Sequence, residues 1–124
     1  MKQKEYVCDC AAVHEEAVEK TKKELPEGAL LEEMASFFKI IGDQTRCRIL
    51  AALQLGELCV CDLANVLGMS KSAVSHQLAK LRQVGAVKCR RQGKEVFYSP
   101  DDEHIAALFA LTMTHIRHKK ERGR

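Results

Sequence analysis

Apolar residues recur with a helical period through most of the chain and with an alternating period in one short stretch, and that contrast lays out the fold. Leu30, Leu31, Met34, Phe37, Phe38 and Ile41 follow helical spacing up to Gly42. Asp43 supplies a second helix start, and Ile49, Leu50 and Leu53 continue the pattern, so the spacing predicts two packed helices. Beyond Gly56 a short apolar segment, Leu58 to Leu67, ends at Gly68 in the manner of a helix C-cap. Ser70 then caps another helix. In it Val74, Leu78 and Leu81 fall on one face, while Lys71, Ser72, Ser75, His76, Lys80 and Arg82 take the other positions, as far as Gly85. From Ala86 the period becomes two. Val87, Cys89 and Arg91 alternate with Lys88 and Arg90, a Gln92-Gly93 turn follows, and Glu95-Val96-Phe97-Tyr98 returns as a second strand. Ser99-Pro100-Asp101-Asp102 is expected to open a last helix, with Pro100 at its first position and Asp102 as a capping-box carboxylate, running to about Lys120.

A short helix, a turn containing Gly68 and a longer helix with a polar face form the layout of a helix-turn-helix, and the hairpin stands where such a fold carries its wing. The expected class is therefore mainly α with a β-hairpin wing, a winged helix-turn-helix over residues 29–124. Residues 1–28 read as an arm: a cysteine-bearing tip, a polar helical stretch around Ala11 to Glu24, and the break Pro26-Glu27-Gly28. A length of 124 residues suits one compact domain with such an appendage.

Charge sharpens this picture only when it is divided along the chain. The net charge is +3, yet residues 63–94 hold Lys71, Lys80, Arg82, Lys88, Arg90, Arg91 and Lys94 with no acid. Residues 1–33 hold five Lys against nine Asp or Glu. A one-sign window over the helix-turn-helix and hairpin points to a polyanion. Lys71, Ser72, Ser75, His76 and Gln77, near the start of the second helix, are of the types that donate to phosphates and base edges in a major groove. Arg90, Arg91 and Lys94 flank the hairpin turn, within reach of backbone phosphate. Each of these residues is equally compatible with an ordinary solvated face; the whole arrangement is what points to DNA. No run approaches the roughly 18 apolar residues of a membrane span, and MKQKEYVCDC is too polar for a secretory h-region, so the expected location is the cytoplasm.

Six cysteines in such a chain are expected to be reduced thiols rather than a disulfide framework. Cys59-Val60-Cys61-Asp62 places two thiols and a carboxylate together, but zinc and soft ions such as Cd(II) and Pb(II) need three or four thiolate or imidazole donors. Cys8 and Cys10, a second Cys-x-Cys on a polar arm, are the candidates to complete the set. Two alternatives stand beside this one: Cys59 and Cys61 as small packing residues, or the four thiols as a redox switch that forms disulfides on oxidation. Cys47 and Cys89 stand alone and read as packing residues.

The last helix carries Asp102, His104, His115 and His118. His104 and His115 share a face but lie roughly 16 Å apart along the axis, and metal–nitrogen bonds are about 2 Å, so one helix cannot close this set on itself. Antiparallel pairing with a second copy would bring Asp102 and His104 of one chain beside His115 and His118 of the other, and would bury Ile105, Leu108, Leu111 and Thr112. The alternative is that Asp102 only caps the helix and the histidines are polar positions near its C-terminus. A zinc hydrolase needs an open coordination position and a base, as in His-Glu-x-x-His; no such pattern occurs, so neither an enzyme nor an organic substrate is expected.

The runs Gly42-Asp43-Gln44-Thr45-Arg46-Cys47-Arg48-Ile49-Leu50, Glu57-Leu58-Cys59-Val60-Cys61-Asp62-Leu63-Ala64 and Ser72-Ala73-Val74-Ser75-His76-Gln77-Leu78-Ala79-Lys80-Leu81 resemble the ArsR/SmtB family of bacterial metal-sensing repressors. The resemblance spans roughly residues 30–120, and the pairing of Cys-Val-Cys with a cysteine arm is most similar to the cadmium, lead and zinc sensors of that family. It implies a homodimeric repressor on a palindromic double-stranded operator, released by metal to switch on an efflux or resistance gene. It also implies a site for Cd(II), Pb(II) or Zn(II) at Cys59 and Cys61 with arm cysteines matching Cys8 and Cys10, the arm reaching the other subunit. A second site for Zn(II) is implied at Asp102, His104, His115 and His118, in the all-histidine form found in zinc and cobalt sensors. Two departures are visible: the arm pair is more closely spaced than in the family, and Ala64 stands where arsenite sensors have a third cysteine, which argues against arsenic as the main inducer.

Overall fold

Three short amphipathic helices and the first residues of a strand supply the core. The structure, a computed structural model, describes Cys8 and residues 13–123. Its elements are α1 (Glu15–Glu24), α2 (Gly28–Ile41), α3 (Gln44–Gln54), β1 (Leu58–Cys59), α4 (Val60–Leu67), α5 (Lys71–Gln83), β2 (Val87–Gln92), β3 (Glu95–Pro100) and α6 (Glu103–Glu121). The chain divides into two compact units with the boundary between Glu32 and Glu33. In the first, α1 buries none of its residues; Glu15 and Glu16 at its start and Lys22 and Lys23 at its end complement the helix dipole.

The second unit is built around Ile49, Leu50 and Leu53 of α3, Leu63, Ala64 and Leu67 of α4, Val74, Leu78 and Leu81 of α5, with Ala86 and Val87 at the entrance to β2. These include the apolar positions that the helical period selects in α3 and α5. Helix boundaries follow their capping chemistry. Asp43 accepts a hydrogen bond from the Arg46 backbone N–H at 3.0 Å, and Ser70 accepts one from Ala73 at 3.1 Å. Gly68 ends α4 in the left-handed region, with φ 66°, a conformation a side chain would strain. That reversal sets α5 across α4 and completes the helix-turn-helix.

The wing is a three-stranded antiparallel sheet of order β1-β3-β2. Leu58 and Cys59 pair with Tyr98 and Phe97 as β1, an element the period does not announce because a two-residue strand has no alternation to read. The hairpin also runs further than its alternation implies. Lys88 pairs with Ser99 and Val87 with Pro100, and the loop between Gln92 and Glu95 is Gly93-Lys94, one residue beyond the expected turn. Ser99 and Pro100 are thereby taken up by β3, beyond its pairing with β1, so Pro100 lies where the strand has β2 as its one neighbour. This corrects the expected start of the last helix: Asp102, not Ser99, is the N-cap of α6, and Pro100 lies outside that helix. No helix among the described residues is long and apolar enough to cross a membrane.

Leu78 is fully buried in the core cluster, so Leu78→Ala should lose transfer energy and leave a cavity, at a cost of about 3 kcal/mol. Urea unfolding of both proteins at one concentration checks this; an unchanged midpoint would contradict the assigned core.

Candidate nucleic-acid interface and thiol sites

Helix α5 buries Val74, Leu78 and Leu81 and so turns its other faces outward, leaving Lys71, Ser72, Ser75 and His76 exposed around its N-terminal half. Gln77 is different. It is half-buried and accepts a 2.6 Å hydrogen bond from Arg46 Nη1, while Arg46 Nε donates to the Ile40 carbonyl. Arg46 thus ties α5 to the corner between α2 and α3, and Arg48 adds a bond to the Leu67 carbonyl at the end of α4. The orientation of α5 is held by these polar links as well as by the core.

On the wing, Arg91 and Lys94 are exposed beside the turn. Arg90 is engaged from several sides. Its Nε and Nη2 donate to the two carboxylate oxygens of Glu57 at 2.9 and 2.7 Å, its Nη1 donates to Gln92 at 2.7 Å, and its Cζ lies 4.8 Å from the Phe97 ring centroid. The hydrogen bond from Arg90, with the Arg90 and Lys88 charges, holds the Glu57 carboxyl below the usual range against a smaller opposing effect of burial. All three basic wing residues nominated for DNA are exposed; Arg91 and Lys94 lie beside the turn, while Arg90 also carries these partners within the sheet.

Cys59 is both the last residue of β1 and the N-cap of α4, and it is only 5 % exposed. Cys61 and Asp62 lie in the first turn of α4 and are exposed. The Asp62 backbone N–H favours the Cys59 thiolate, but burial and the Asp62 carboxylate, by its hydrogen bond and its charge, outweigh this and push the thiol up. A cation taking this sulfur must therefore displace a proton. Cys8 is exposed, and Cys10 lies outside the described residues. Cys47 and Cys89 are half-buried; Cys47 Sγ sits 3.5 Å from the Ile41 carbonyl.

In α6 the Asp102 carboxylate accepts from the His104 and Ile105 backbone N–H groups at 3.0 and 3.1 Å, and its other oxygen lies 3.3 Å from His104 Nδ1. Capping and pairing with His104 are therefore compatible roles. His115 and His118 are exposed towards the far end of the helix, about 16 and 21 Å from His104 along the axis. Among the described residues no three His, Cys, Asp or Glu side chains come together as a metal cluster. Sequence reasoning missed Glu57, Arg46 and Gln54, which donates to the Ala106 carbonyl at 3.0 Å and ties α3 to α6. Their partners lie 33, 31 and 52 residues away, beyond any local pattern.

A helix-turn-helix with a basic outer face and a three-stranded wing defines a winged-helix DNA-binding regulator. Residues 43–88 match the model of bacterial regulatory proteins of the arsR family. A cadmium resistance transcriptional regulatory protein CadC homolog of Staphylococcus aureus is 40% identical over 112 residues, covering 90% of this chain and 92% of the relative. A transcriptional repressor SmtB homolog of Synechocystis is 41% identical over 111 residues, covering 90% of this chain and 84% of the relative. Among solved structures, the homodimeric winged helix-turn-helix DNA-binding domain of a possible ArsR-family regulator from Mycobacterium bovis superposes with a TM-score of 0.74 at 30% identity, covering 80% of this chain and 94% of that one. The chain belongs to the ArsR family: it is a DNA-binding transcriptional regulator and not an enzyme.

The N–H bond from Ile105, then the contact with His104, hold the Asp102 carboxyl below its ordinary value. Its support for α6 is therefore complete above the unfolded Asp value near 3.9 and is lost as pH falls through the lower folded value. The His104 and Ile105 amide resonances, followed by NMR down an acid titration, should move with a midpoint below about 3.9; a midpoint at or above it would contradict the cap.

Proposed function

We propose that the chain is a metal-responsive repressor, homodimeric, that occupies a palindromic operator in double-stranded DNA and leaves it when Cd(II), Pb(II) or Zn(II) binds, switching on an efflux or resistance gene in the cytoplasm. The observation that carries this reading is the position of Cys59, which belongs at once to a strand of the wing sheet and to the first helix of the helix-turn-helix. A ligand held there would act on β1, which pairs with the hairpin, and on α4, which packs on α5. The likeness to a cadmium resistance regulator and to an SmtB homolog supports metal as that ligand.

The contacts to DNA fall to Lys71, Ser72, Ser75 and His76 of α5 and to Arg91 and Lys94 of the wing, with Arg90 and Gln77 acting chiefly through the internal partners that orient these elements. Cys59 and Cys61, with Cys8 and Cys10 of the arm, make an all-sulfur donor set that suits soft cations. Bound metal supplies a cross-link among thiolates, and the residues' own part is to present Cys61 outward and to yield the Cys59 proton. Asp102 and His104 of one copy with His115 and His118 of a second copy make a nitrogen and oxygen set that suits Zn(II). The second copy has a face to meet: in α6 Leu108, Leu111 and Ile116 are exposed, and an apolar groove of about 340 Å³ lined by Phe38, Leu50, Ile105 and Phe109 runs beside them.

Operator and metal must weaken each other by the same coupling free energy, and about 3 kcal/mol corresponds to a loss of operator affinity on the order of 100-fold. Fluorescence anisotropy of the reduced protein on its promoter fragment, titrated with Cd(II) and with Zn(II) at fixed salt, tests the reading; tight binding indifferent to both metals would overturn it. Cys59→Ser should keep operator affinity within a few-fold and lose release by Cd(II), and persistence of that release would remove the thiols from the sensor. Leu111→Asp, which puts a charge on the 68 % exposed α6 stripe, should sediment as a monomer where the parent protein is a dimer.

A further inference from the structure

Arg90, Phe97 and Glu57 form a strap across the wing sheet that neither the DNA contacts nor the thiols account for. In the order β1-β3-β2 the strand β3 separates β1 from β2. Phe97 of β3 pairs with Cys59 on one side and with Arg90 on the other, so these three form a row across the sheet. Residues opposite one another in a ladder share a face, as do residues two apart in an extended chain, which places Glu57 on the side of Cys59. The Arg90 guanidinium passes over the Phe97 ring and grips both oxygens of Glu57, at 2.7 and 2.9 Å.

The side chains of Arg90 and Glu57 are 51% and 35% exposed, a setting in which an isolated ion pair contributes little. This pair is not isolated. The two-pronged fork, the ring beneath it and the third bond to Gln92 specify a single arrangement. Its value lies in what it joins, because the backbone ladder between β1 and β3 consists of Leu58↔Tyr98 and Cys59↔Phe97. That ladder is two pairs long and reaches only β3; the strap links the segment before β1 directly to β2, with which it shares no backbone pairing.

We propose that Glu57 and Arg90 are a positioning pair that makes the hairpin move as one body with the segment bearing Cys59, so that displacement of that segment is felt at the wing. The proposal rests on the metal-responsive reading above. Glu57 itself touches neither DNA nor metal in that reading.

The test uses the full, reduced chain in three forms: the parent protein, Glu57→Gln, and Arg90→Lys, which keeps the charge but removes the fork. Cadmium binding is read from the ultraviolet thiolate-to-metal charge-transfer band, and operator binding from anisotropy with and without Cd(II) at one salt concentration. The band should persist at one stoichiometry in all three. The ratio of operator affinities without and with cadmium should fall from about 100-fold in the parent to under about 10-fold in both variants. Exchanging the pair, Glu57→Arg with Arg90→Glu, should recover part of the ratio. Amide hydrogen exchange of Val96 to Tyr98, measured without DNA or metal, should be about tenfold faster in Glu57→Gln. A parent that responds to cadmium with an equally responsive Glu57→Gln overturns the coupling alone, as does unchanged exchange in the hairpin. A parent indifferent to cadmium overturns the metal-responsive reading and the coupling with it.

Discussion

The fold depends on the burial of one small apolar cluster, in which Leu63 of α4, Leu78 and Leu81 of α5 and Ile49 and Leu50 of α3 exclude water from one another. With so few fully buried side chains, each of the three helices can turn only one face inward, and no charged residue among those described is buried. That constraint gives α5 a polar outer face. Once Val74, Leu78 and Leu81 are committed to the core, Lys71, Ser72, Ser75 and His76 are on the surface.

The same core reaches the base of the wing through Ala86, Val87 and Tyr98, and further links reinforce that attachment. The wing joins the body through the two-residue strand β1, through Val87 at the base of β2, and through the Arg90 contacts with Glu57 and Phe97. Cys59 sits where β1 becomes α4, at the seam between the two modes of attachment. A displacement of a residue at such a seam is shared by the wing sheet and the helix-turn-helix.

Most of the helical frame was legible from the order of residues alone. Asp43, Gly68 and Ser70 act locally, each satisfying or reversing the backbone within a few residues, so their caps appear in the structure where the pattern places them. The misplaced start of α6 shows the limit of such reasoning. Ser99-Pro100 is a sound helix opening in isolation, but pairing of Val87 with Pro100 and Lys88 with Ser99 takes those residues into the sheet. Strand β1 was invisible for the same reason, since Leu58 and Cys59 become a strand only by finding Phe97 and Tyr98.

By itself the sequence determined the helix periods, the caps, the alternation of the hairpin, the basic window, and the residue types that suit DNA and soft metals. Those properties depend on neighbours a few positions apart. Only the tertiary structure decided which of the nominated residues have protein partners distant in sequence: Arg90 on Glu57 and Gln77 on Arg46. Those pairings join groups brought close by the packing of whole elements, and for Arg90 and Gln77 the partners are 33 and 31 residues away, a separation at which sequence carries no geometry.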